Sequence, residues 1–250
     1  MKNLLIKGVS GFALTFVAQA ALAAPVTITD TATTGPKILA TSRAVLTPSA
    51  AIRGTINAYR NGTALPVITS DLWGTATLGY VTHPVTKVNT IGILSFSGPV
   101  KSMTYEASNR AILSHQLQGS IKIVTPVNAG GFFAKGGEMA IQDMRVNHTT
   151  KTIHATVIGG NGYGTRTDVP VWTYGAVSGN ATFPGDNIQT GLAPLRLTAE
   201  GVAAWAQSLG LTSTGQSSLN GINASTEGFG TMAITVDIIP PVDETNCVGP

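Results

Sequence analysis

Four histidines, His83, His115, His148 and His154, are the side chains best suited to hold a metal ion or carry a proton near neutral pH. No two of them stand four residues apart, so none forms the pair that one helix face presents to zinc. His148 and His154 could approach across a predicted hairpin, but His148 is expected in its turn and His154 on the solvent face, so no metal site is expected. Glycoside hydrolysis needs two carboxylates that meet in space. Glu106, Glu138 and Asp143 fall on or beside predicted strands, but their spacing singles out no pair, and an aromatic content of 6% leaves few platforms for sugar rings. No Gly-x-Ser-x-Gly string follows residue 23, so a nucleophile elbow is not expected.

Gly159-Gly160-Asn161-Gly162-Tyr163-Gly164 has the look of a phosphate or calcium loop. A dinucleotide loop must open a helix whose N-terminus meets the pyrophosphate, whereas this one runs into a strand pattern. A calcium repeat needs many copies and an aspartate where Gly164 stands. The stretch therefore reads as a long, flexible connection between strands with Tyr163 at its tip. The single cysteine, Cys247, can form no intramolecular disulfide, and its place near the end of a Pro-rich segment marks a disordered tail.

The first 23 residues fix the compartment in which any such chemistry would run. Lys2 and Lys7 flank an apolar run that closes on Ala21-Leu22-Ala23, the pattern of a secretory signal peptide. Export to the periplasm, the cell surface or the medium is expected. The leader holds those two lysines and no acid, so the formal net charge of +3 falls to +1 once it is removed. The remaining bases are scattered singly, which argues against nucleic acid as a partner. No second apolar run of about 20 residues follows, so no transmembrane anchor is expected. Charged residues make up only 11% of the chain, and Gly, Ala, Thr, Ser and Val are abundant. Such a surface repels its own copies weakly and suits lateral association.

The elements that would position these side chains are mostly strands. Short runs rich in Val, Ile and Thr, broken by Gly, Pro and Asn, predict strands near 26–31, 37–45, 54–60, 78–82, 91–97, 102–107, 110–117, 119–124, 137–146, 152–158, 169–174 and 229–238. The clearest hairpin joins 139–146 to 152–158 through Asn147-His148-Thr149-Thr150-Lys151. Ile153, Ala155 and Val157 should share its dry face, with Thr152, His154 and Thr156 on the wet one. In the last strand Met232, Ile234, Val236 and Ile238 share a face, and a C-terminal strand of this kind is expected to close a sheet beside an early one.

One helix is predicted, over 198–209. Thr198 can cap it, Glu200 sits in its first turn, and Val202, Trp205 and Leu209 recur at helical spacing before Gly210. Trp205 should anchor it to a sheet. Residues 212–221, rich in Ser, Thr, Gly and Asn, read as loop. The expected fold is all-β and mainly antiparallel, a sandwich or flattened barrel with one short helix. It comprises a single domain over 24–239, with a flexible Pro-rich tail at 240–250.

Four segments resemble, in order, those of HtaA-type domains. They are Trp73-Gly74 followed by Tyr80, then Gly92-Ile93-Leu94-Ser95-Phe96-Ser97-Gly98, then Lys151-Thr152-Ile153-His154-Ala155-Thr156-Val157, and finally Leu197-Thr198-Ala199-Glu200-Gly201-Val202-Ala203-Ala204. The resemblance covers about residues 70–238. It implies a secreted or surface bacterial β-domain, some members of which bind haem. It implies Tyr80 as the haem ligand, since it follows the Trp-Gly pair as the family's tyrosine does, and a phenolate suits ferric haem. Where haem-binding members carry a histidine after Phe-x-Gly, this chain has Pro99 and Val100.

These readings predict an exported, non-catalytic bacterial protein of structural or interaction type. Its expected partners are other surface or secreted proteins, or further copies of itself. The alternative is a small-ligand carrier with haem bound through Tyr80, and a third reading is an extracellular carbohydrate-active enzyme.

Overall fold

The structure, a computed structural model, describes residues 24–52, 67–71, 82–84, 95–125 and 131–239. The predicted leader at 1–23, the predicted strand at 54–60, Tyr80, Cys247 and the predicted tail at 240–250 lie outside the described residues.

The mainly antiparallel all-β fold expected from the sequence is present, and the pairing shows which form it takes. Strands β1 (Val26–Thr29), β2 (Lys37–Ile38) and β3 (Arg43–Pro48) lead to β4 (Val67–Asp71), β5 (Thr82–Pro84) and β6 (Phe96–Tyr105). There follow β7 (Ile112–Leu117), β8 (Ser120–Thr125), β9 (Gly137–Asn147), β10 (Thr152–Gly159), β11 (Gly164–Gly179) and β12 (Asn187–Leu197). Two helices, α1 (Ala199–Ser208) and α2 (Ser213–Ala224), precede β13 (Gly230–Ile239). The order β6-β3-β13-β12-β11-β10-β9-β7 returns to β6 through antiparallel pairs throughout. A sheet that returns on itself is a barrel. The C-terminal strand β13 does lie beside the early strand β3, as the sequence led us to expect.

β7 and β8 run along β9 as one bent ribbon. The break at Gln118-Gly119 faces a bulge in β9, where Asp143 takes φ of +50° and its N–H donates to Gly119 O. The extra residue switches the buried parity of β9 from Met139 and Ile141 to Val146. It also lets β7 turn to β6 while β8 turns to β4 and β5.

The interior is filled by alternate residues of β10 and β13, joined by buried residues of the other strands. Met232, Ile234, Val236 and Ile238 point inward from β13, and Ile153, Ala155 and Val157 from β10, on the faces the alternation assigned to them. Trp172 of β11 and Ile188, Leu192 and Leu195 of β12 fill the wall between those two strands.

α1 starts where predicted. Thr198 Oγ1 accepts a hydrogen bond from Gly201 N–H at 2.9 Å, the N-cap that stops the chain extending β12. Its closest face is a stripe of small residues, Gly201, Ala204 and Ser208, all buried. Trp205 is half-buried and meets the ring of Phe229 edge-on at 4.9 Å, so it anchors the helix as expected. The barrel matches that stripe with glycines of its own. A Cβ on Gly159 would lie 2.0 Å from Ser208 Oγ, and one on Gly137 2.1 Å from Ser208 O.

Residues 212–221, expected as loop, belong to a second helix. Thr212 caps α2 by accepting from Gly215 N–H at 3.1 Å, and Leu219 is buried. Near its end the Asn223 side-chain amide accepts from Leu197 N–H at 2.6 Å and donates to Leu197 O at 3.0 Å. That amide stands in for a neighbouring strand at the end of β12. The helix is held by its cap and this clamp more than by the propensity of its residues.

Candidate functional site

Two features of the barrel wall stand out, and both involve β11. The first is a buried chain of polar side chains. His115 lies on β7 two residues before the buried Leu117 and so faces inward, fully enclosed. Its Nδ1 is 3.0 Å from His148 Nε2, and His148 Nδ1 is 3.0 Å from Tyr174 Oη. Tyr174 Oη also donates to Asn147 O at 3.3 Å. The chain of contacts crosses from β7, over the β9–β10 turn, to β11. Burial lowers the pKa of His115 to about 3, helped by the neighbouring His148, and burial lowers that of His148 to about 4. Burial pushes the Tyr174 phenol up to about 12. All three groups are thus neutral across the physiological range.

His148 lies in the turn, as expected, and its ring packs inward against His115 and Tyr174. The signal that could have found His115 is the alternation Leu113, His115, Leu117 on a strand, which puts the imidazole on an apolar parity. Nothing in the sequence joins it to Tyr174, which is 59 positions away in the numbering.

The other candidates do not gather. His154 Nδ1 is 3.2 Å from Asp168 Oδ1 on the outer face, where Arg145 also meets Asp168 at 2.7 Å. The hydrogen bond from Arg145 is the main cause that holds the Asp168 carboxyl below its usual range. Glu138 pairs with Lys122 at 2.9 Å, and Asp143 sits in the β9 bulge with its pKa raised by burial. Among the described residues no group of three His, Cys, Asp or Glu side chains could hold a metal ion. Tyr80, the residue implied for haem, lies outside them.

The glycine-rich stretch is not the long flexible connection expected. β10 ends at Gly159 and β11 begins at Gly164, so only four residues make the turn. Tyr163 is 6% exposed instead of standing at a tip, and the Arg166 guanidinium lies 4.4 Å from its ring centre. Asn161 takes φ of +51° and donates to Gly136 O at 2.9 Å and Ser208 O at 3.1 Å, tying the turn to the end of α1.

The second feature is an open stretch of β11. β10 pairs with β11 only as far as Thr173, whereas β12 continues beside it to Gly179. Among the described residues no strand pairs with the other edge of Gly175-Ala176-Val177-Ser178-Gly179, and all five residues are exposed. The segment carries no charge and no proline. Lys151 Nζ donates to Gly175 O at 3.3 Å and guards the start of the run alone. Just beyond the tip of the hairpin the chain returns to the barrel, where Ile112 N–H donates to Ala181 O and Phe183 packs on Tyr105 at 4.8 Å. The hairpin is thereby fixed at both ends.

Among the described residues the fold and site define a closed, mainly antiparallel β-barrel with α1 and α2 over one part of its wall and an uncharged strand edge that no described strand pairs. No family model matches the chain, and no curated protein does. A solved structure that is similar to it is the C-terminal domain of HtaA from Corynebacterium glutamicum, at 15% identity and a TM-score of 0.43. That comparison covers 79% of this chain and 98% of the other. The likeness is a weak structural resemblance, too slight to carry a function from one chain to the other. Among the described residues no helix is long and apolar enough to cross a membrane.

Proposed function

We propose that this chain is an exported, non-catalytic module that acts by contact with other proteins at the periplasm or cell surface. The observation that carries the reading is the bare edge of β11 at residues 175–179. Exposed strand edges pair readily with other chains, and proteins ordinarily blunt them with charges, prolines, bulges or a covering element. This one is uncharged and unpaired among the described residues, on a hairpin held at its base and its tip. Strand addition supplies affinity through main-chain hydrogen bonds and needs no catalytic group. The leader at residues 1–23 and the scarcity of charge support the same reading.

The competing reading is haem carriage through Tyr80. Protein purified after export through its own leader, titrated with haemin during size-exclusion chromatography, separates the two. A contact module gives no stoichiometric shift of the Soret band. A one-to-one shift that is lost in Tyr80→Phe would replace contact with carriage. N-terminal sequencing of the same sample should begin at Ala24; an uncleaved Met1 would remove export from the proposal.

A further inference from the structure

We infer that a second copy of this chain occupies the edge of β11 that is unpaired among the described residues, in an antiparallel two-fold pair centred on Val177. The inference rests on the contact reading and names its partner. Identical strands paired antiparallel are related by a two-fold axis, so each residue meets its mirror position in the run. Gly175-Ala176-Val177-Ser178-Gly179 has nearly the same sequence of sizes in both directions. Pairing about the centre sets Gly175 opposite Gly179 of the second copy, Ala176 opposite Ser178, and Val177 opposite Val177.

Both faces of such a pair are complementary. Side chains alternate along a strand, so the two Val177 side chains meet on a face where Gly175 and Gly179 contribute nothing to obstruct them. On the opposite face a methyl group meets a hydroxymethyl group. Val177, at 38% exposed, is one of three large exposed apolar residues among the described ones. The other two, Ile158 and Ile239, lie on β10 and β13, away from this edge. No charge falls within the run, and with the leader removed the net charge is +1, so two copies approach with little repulsion. Gly179 takes φ of +78° and ends the extended run, which limits pairing to these five residues. The pair also consumes the edge that makes it, so it closes as a dimer and does not grow into a filament.

The test is sedimentation velocity across the micromolar range, joined to disulfide trapping in a Cys247→Ser background. The parent chain should approach twice the monomer mass as concentration rises. Val177→Lys should remain monomeric with an unchanged circular dichroism spectrum. Residues directly opposite in an antiparallel pair lie within the Cα separation that a disulfide spans. Val177→Cys should therefore cross-link to itself. Ala176→Cys and Ser178→Cys should each cross-link to the other faster than to themselves. A parent that is monomeric throughout, a dimer unaffected by Val177→Lys, or cross-linking without this register would overturn the inference. The haemin titration fails independently: a monomer that binds no haem loses the second copy but leaves contact with another partner, whereas a dimer that binds haem stoichiometrically keeps the pair and loses the contact reading.

Discussion

Tyr174 Oη stands 3.0 Å from His148 Nδ1 and joins β11 to the β9–β10 turn inside the barrel wall. The phenol has one proton and two acceptors within reach, Asn147 O and the imidazole. If it donates to Asn147 O, His148 must carry its proton on Nδ1 and accept at Nε2 from His115 Nδ1–H. His115 Nε2, which is buried with no hydrogen-bond partner among the described residues, is then a bare lone pair. The reverse order would leave a buried N–H donor there instead, and orphaned donors are the rarer defect. The protons thus point one way, from His115 through His148 and Tyr174 to the backbone.

Both histidines are accordingly expected as Nδ1–H tautomers. Long-range proton–nitrogen correlation spectra at neutral pH should show protonated Nδ1 and bare Nε2 for His115 and His148. A protonated Nε2 on His115 would reverse the order of the chain. Tyr174→Phe removes the acceptor of the His148 N–H and should cost about 1–3 kcal/mol, the ordinary penalty for a stranded buried donor.

The same burial sets a pH dependence. The folded pKa values, about 3 for His115 and about 4 for His148, lie below the ordinary value of 6.5. Below pH 6.5 the unfolded chain takes up protons that the folded chain refuses, so stability falls as pH falls and is flat above that value. The fall continues until pH approaches 4 for His148 and 3 for His115. Asp143, raised by burial, acts in the opposite sense at the acid end. The pair should lose about 3 kcal/mol between pH 7 and pH 5, allowing for the partial exposure of His148. Urea midpoints across that range give the slope. A flat profile, or His115 and His148 ring resonances that titrate near pH 6.5, would contradict it.

Much of the barrel was legible because its strands are long and alternate cleanly. Ile153, Ala155 and Val157 in β10 and the even-numbered residues of β13 declare their inner face without tertiary help. α1 was legible through Thr198 and Glu200 at its start. α2 was not, because its buried contacts are few and much of its hold comes from Asn223 gripping Leu197 across the fold. The bulge at Asp143 was equally hidden, since a residue at φ +50° leaves no mark on composition, yet it decides which half of β9 faces β7 and which faces β8. The polar chain and the bare edge escaped for one shared reason. Each depends on where a neighbouring strand stops, and the alternation that reveals a strand says nothing about the reach of its partner.

Asn161 provides the sharpest test of the turn that binds the barrel to α1. Its left-handed backbone favours Asn or Gly, and its amide bonds both Gly136 O and Ser208 O. Asn161→Gly keeps the backbone conformation and loses both hydrogen bonds, which at ordinary net values costs about 1–2 kcal/mol. Asn161→Asp keeps shape and backbone tolerance but sets a carboxylate against two carbonyl oxygens. It should cost more than the glycine variant at neutral pH and recover part of the difference on acidification, when one oxygen regains a proton to donate. The aspartate variant should also speed amide exchange in the last turn of α1, because Ser208 O would lose its tie to the barrel. Equal urea midpoints for the two variants at neutral pH would mean that backbone conformation alone, without the amide's two bonds, fixes the turn.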